Sequence, residues 1–264
     1  TLDSLVCPAL ATSTGWQGVF WFVIAFTTVS LILFLVFYRV PEGEGANYNV
    51  EGSFGECMSL LKNRNIWFLF VVFMVFIIGQ TGIVNTYLPN FLQTPTNANP
   101  PGFGWDASMA GIGLATVTTI GLISNPLGGT ITSKLPHRLK RIIPISVSVI
   151  YLFCFYFLFQ TSSVILLWVG IALMGICAGF GGGGLRPLAP TIMNKSAMAA
   201  TMGMAVMQFA QCIGNCFSPV YGMLLDSGMT YWDACLYTII PLSVIMLVLS
   251  IFIRPDKNSP VRNK

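Results

Sequence analysis

Charge is what this sequence has least of. Only 8% of its 264 residues are Asp, Glu, Lys or Arg, against about 25% in a soluble domain. A chain so poor in charge cannot cover a water-facing surface, which excludes a soluble globule and places the protein in lipid. Histidine is nearly absent: the single one is His137. The seven cysteines include no CxxC and have no histidine at ligand spacing, so no metal or other cofactor is expected. Cys154, Cys177, Cys212, Cys216 and Cys235 sit in apolar runs, where cysteine packs as a small hydrophobe. No His/Cys/Asp cluster or nucleophile–base pair falls at bilayer depth, so the chain does not read as an enzyme. Basic patches interleaved with aromatics are missing as well, and no nucleic-acid partner is expected. The N-terminus lacks an initiating Met, a basic n-region and a cleavage site. It is therefore not a signal peptide, and a chain opening on Thr1 reads as a piece of something longer.

What is present is apolar sequence in long runs. A transmembrane helix needs about 20 mostly apolar residues, and seven stretches qualify: 17–38, 66–91, 107–132, 142–159, 163–190, 198–224 and 234–253. The spans predict an all-α integral membrane protein. Its parts are an outer segment with the first span (1–38), a loop (39–65), a six-helix bundle (66–253) and a tail (254–264). In the loop, SFGECMSLLKNRN reads either as a short helix along the membrane surface or as a simple linker.

The basic residues orient these spans. Lys134, Arg138, Lys140 and Arg141 crowd four positive charges into one turn, and Arg39, Lys62, Arg64, Arg186, Lys195, Arg254, Lys257, Arg262 and Lys264 complete the 13. All fall on one side of a seven-span arrangement; the other side has only Asp3, Asp106, Asp226 and Asp233. Positive loops stay inside, so the expected place is the cell membrane, with the N-terminal end outside and the C-terminus cytoplasmic. Asn194-Lys195-Ser196 fits a glycosylation acceptor but lies on the basic side.

Seven spans with the N-terminus out is the topology of heptahelical receptors and retinal proteins, and equally of a transporter lacking five helices. The last span has no Lys for a Schiff base, and no acid–Arg–aromatic triplet follows the third span. Four motifs favour the transporter. They are GWQGVFW (Gly15 to Trp21), SLLKNRNIWFLF (Ser59 to Phe70), GGTITSKLPHRLKR, and GMAVMQFAQCIGNCFSPVYGMLLDSGMTYWDA. In order and spacing they resemble helix six, the start of helix seven, the second-half signature loop, and helices eleven to twelve of a major facilitator superfamily transporter. Gly129, Lys134, Arg138 and Arg141 match the signature loop, while Ser133 and Pro136 stand where the family has an acid and a glycine. The resemblance implies an incomplete major-facilitator fold: the second six-helix bundle plus one preceding helix, the first five helices missing. It implies a small-molecule solute moved by alternating access, as in small-solute permeases of the cyanate and nitroimidazole type.

Depth along the spans then selects candidate solute contacts. About ten residues into each span lies the bilayer midplane, where such transporters bind solute. Gln80, Thr81 and Asn85 reach that depth in 66–91, and Thr116, Thr118 and Thr119 in 107–132. Gln208, Gln211 and Asn215 do so in 198–224, spaced three and four apart as one helix stripe. Such amides either face a wet cavity or bond neighbouring helices. Gly175, Gly179 and Gly183 form a ridge at i+4 intervals that admits a close partner helix, and GFGGGG after it reads as a bend. Arg186 reads as a snorkelling residue or as an anion contact at the inner cavity. No span contains an acid to titrate.

Overall fold

The computed structural model describes residues 2–37, 61–136, 139–189 and 197–253. No strand occurs among them. The helices are α1 (Leu2–Phe37), α2 (Arg64–Ile77), α3 (Asn85–Gln93), α4 (Ala107–Lys134), α5 (Ile142–Phe159), α6 (Val164–Phe180), α7 (Ala197–Asn215), α8 (Ser218–Asp226), α9 (Tyr231–Tyr237) and α10 (Ile239–Phe252). A π-helical turn, Ile78–Val84, joins α2 to α3, and a second, Gly181–Leu185, extends α6. Six of the resulting rods are long and apolar enough to cross a membrane: Thr14–Phe37, Arg64–Gln93, Ala107–Lys134, Ile142–Phe159, Val164–Leu185 and Tyr231–Phe252.

Two expected spans are built differently. The stretch 198–224 is two helices, α7 and α8, parted at Cys216 and Phe217. Pro219 explains the break, since proline is tolerated in a helix's first turn and here heads α8. The last span begins earlier, at Tyr231, where the Thr230 side chain caps the Asp233 N–H. It is interrupted at Thr238 ahead of Pro241, which has no N–H for the carbonyl of Tyr237.

The core is a bundle around α2. Ile66, Leu69, Phe73 and Phe76 are fully buried on α2, which packs against α7 and α10. On the other side α4, α5 and α6 pack together, with α4 and α6 most intimately joined. The glycine ridge accounts for that closeness. A Cβ on Gly175 would lie 2.7 Å from Ile120 Cβ, one on Gly179 would overlap Ser124, and one on Gly183 would overlap the Asn125 carbonyl. Side chains are absent from α6 where α4 crosses it.

By contrast α1 stands apart. Gly15 breaks it with φ 72°, in the left-handed region that favours glycine, and the apolar rod beyond, Thr14–Phe37, is unburied throughout and meets the bundle along α4.

The two ends of α4 differ in chemistry. At its start, Phe91, Phe103, Trp105 and Trp168 form a chain of ring contacts with Tyr231 beside it, in the manner of an interfacial aromatic belt. At its end, Lys134 lies in the last turn, where a cation suits the helix dipole, and Arg141 precedes α5. The tail, most of the 39–65 loop, and Arg138, Asn194 and Lys195 lie outside the described residues.

Candidate functional site

Both π-helical turns sit where polar side chains meet the bundle interior. A π turn leaves carbonyls without their usual helical donor, and in buried structure these need other partners. Around the first turn, the Tyr151 hydroxyl of α5 donates to the Phe76 carbonyl at 2.6 Å. Thr86 Oγ1 donates to Thr81 O at 3.1 Å, and the Asn85 N–H reaches Gln80 O. Gly79 makes the room, because a Cβ there would collide with the Tyr151 hydroxyl. Around the second turn, Thr132 Oγ1 lies 2.8 Å from Gly128 O and 3.4 Å from Gly184 O. The turns adjoin one another: a Cβ on Gly181 would overlap the Phe76 ring.

Above these turns, half-way along α4, is a cavity of about 320 Å³ lined by Gln80, Asn85, Val117, Thr118, Gly121, Leu122, Asn125 and Ala178. It holds three amides and a hydroxyl, and no ionisable group. Thr118 bonds the carbonyls of Leu114 and Ala115 in its own helix. Asn85 Oδ1 is buried with no hydrogen-bond partner.

One helical turn beyond, Arg186 follows the second π turn. Its guanidinium donates to Gln211 Oε1 at 2.5 Å and lies 5.5 Å from the centre of the Phe73 ring. Among the described residues no carboxylate pairs with it. Among the described residues the half-buried cation is therefore held by a neutral amide and a ring face. With Oε1 occupied, Gln211 has its Nε2 donors to offer beside the remaining guanidinium N–H groups.

The sequence candidates thus divide. Gln80 and Asn85 line the cavity; Arg186 and Gln211 form the cationic pair; Gln208 and Asn215, on the same stripe as Gln211, are exposed and line neither. In the signature loop Gly129 packs on the Gly183 carbonyl, while Lys134 and Arg141 are exposed. Ser133, in the acid's place, bonds Thr130 O in its own helix. Asn125, absent from the sequence candidates, is the amide that α4 contributes. A signal existed, since Thr118, Gly121, Leu122 and Asn125 recur at helical spacing on one face.

The model of the Major Facilitator Superfamily matches residues 2–219. The chain belongs to that superfamily. A probable nitrate transporter, NarT, of Staphylococcus epidermidis is 25% identical over 219 residues, covering 83% of this chain. The chain spans 52% of that relative's length. No solved structure matches it. As a Major Facilitator chain with several apolar rods, it is a multi-pass membrane protein, and its fold is the all-helical one that the spans predict.

Proposed function

We propose that this chain is the C-terminal part, helices six to twelve, of a secondary transporter that moves a small anion by alternating access. It is a carrier and not an enzyme. The single observation behind the reading is Arg186, a half-buried guanidinium with which no carboxylate pairs among the described residues. A cation so placed favours an anion beside it, and the relative's name points to the same class of solute. Gln80, Asn85, Gln208, Gln211 and Asn215 are the further solute contacts in this reading. The first five helices close the path from the opposite side, which fits the exposure of Gln208 and Asn215. The N-terminal end lies outside and the tail in the cytoplasm, following the basic residues.

The test is uptake by the full-length protein in reconstituted vesicles. Nitrate, or another small anion supplied in its place, should enter against a control without protein, and Arg186→Gln should reduce that uptake at least tenfold. Uptake of neutral solutes alone, or an Arg186→Gln variant as active as the parent, contradicts the proposal.

A further inference from the structure

We infer that the solute is an organic monoanion whose uncharged, hydrogen-bonding body occupies the amide cavity while its anionic group meets Arg186. The inference rests on the anion reading above and narrows its class. Three observations carry it.

The first is volume. The cavity of about 320 Å³ holds roughly ten water volumes at about 30 Å³ each. An inorganic oxoanion fills a small part of that space and leaves the rest of the lining unpaired.

The second is chemistry. Gln80, Asn85, Thr118 and Asn125 bring donors and acceptors but no charge. Among the described residues nothing there repays dehydration of a second charge, which favours a monoanion. A solute with an N–H or O–H as well as carbonyl groups matches such a lining; a bare anion has nothing to donate.

The third is continuity. The Asn125 amide lies over the second π turn: a Cβ on Gly182 would be 3.5 Å from its Nδ2. Arg186 follows Gly182 by four residues, one turn along the same helix face. The guanidinium is thus carried one turn on from the glycine that the Asn125 amide covers. Asn125 and Thr118 become specificity residues, and Arg186 sets the charge.

The experiment compares four probes by equilibrium binding to the full-length protein in lipid nanodiscs. N-acetylglycine has both a carboxylate and an amide body; acetate and nitrate have charge alone; N-acetylglycinamide has the body alone. N-acetylglycine should bind at least tenfold more tightly than each of the other three. Asn125→Leu should bring it down to the level of acetate. Thr118→Val, a nearly isosteric change, should lower it in the same direction should Asn125→Leu fail to fold. Arg186→Gln should erase its advantage over N-acetylglycinamide. Nitrate or acetate binding as tightly as N-acetylglycine, with sensitivity to Arg186→Gln, overturns this inference and leaves the anion reading standing. Absence of binding by every anion overturns both.

Discussion

At the scale of single residues, Gln211 decides how Arg186 is presented. Its Oε1 accepts from the guanidinium at 2.5 Å while Phe73 supports the other side. A hydrogen bond to a charged group contributes about 1.5–3 kcal/mol, and half-burial places this one at the low end. Gln211→Leu keeps the helix and its volume but frees the guanidinium. The expected outcome is a rise of roughly tenfold in KM for the anion, measured as initial uptake rates, with melting in detergent little changed. A lowered melting temperature with unaltered KM would show instead that Gln211 only joins helices. Phe73→Leu removes the ring beneath Arg186 at a site where the core tolerates an aliphatic residue. With about 0.5–2 kcal/mol of cation–π attraction lost, a smaller rise in KM is expected from the same assay.

The helices show how a membrane bundle accommodates irregular backbone. The first π turn persists because Tyr151 supplies the donor that the Phe76 carbonyl lacks, and because Gly79 leaves space for its hydroxyl. Tyr151→Phe preserves the ring contacts with Phe76 and Phe155 but strands that carbonyl. An unsatisfied buried acceptor costs about 1–3 kcal/mol, so the variant should melt several degrees lower in detergent, as read by tryptophan fluorescence. A melting point identical to the parent's would mean that the turn finds another donor. The α4–α6 contact makes a sharper demand. Any side chain at Gly179 meets Ser124 and the backbone of Asn125. Gly179→Val must part the two helices, and with about 1–3 kcal/mol of overpacking a clear loss of folded protein is expected. Gly129 sits more loosely, 3.4 Å from the Gly183 carbonyl, so Gly129→Ala should be tolerated in the same fluorescence measurement.

For the molecule as a whole, the asymmetry of basic residues makes the prediction. In the proposed orientation Asn194-Lys195-Ser196 lies on the side of all 13 Lys and Arg residues, Lys195 among them, so it should carry no glycan when the full-length protein is made in a eukaryotic host. A glycan at Asn194, seen as an endoglycosidase-sensitive mass shift, would falsify the orientation proposed here. In the proposed reading, the unburied face of α1 and the exposed stripe of Gln208 and Asn215 are the surfaces that meet lipid and the first five helices.

The sequence by itself determined the medium, the helical class and the superfamily. Composition leaves no alternative to lipid, run lengths find the apolar rods, although the stretch 198–224 is two helices, and the order of four weak motifs carries the resemblance that the family match then establishes. It also put Gln80 and Asn85 within about one turn of each other on one span, because rise per residue is fixed in a helix, and the two line one cavity. Depth and spacing do not fix what packs against each level of a stripe, however: Gln211 meets Arg186, while Gln208 and Asn215 on the same stripe are exposed. The π turns were invisible for a related reason. They form where a distant donor, Tyr151, competes for a carbonyl, and that depends on which helix packs where. Asn125 could be picked from its stripe, but only the tertiary structure shows that it packs on Gly182 and Gly183 and lines the cavity with Gln80 and Asn85.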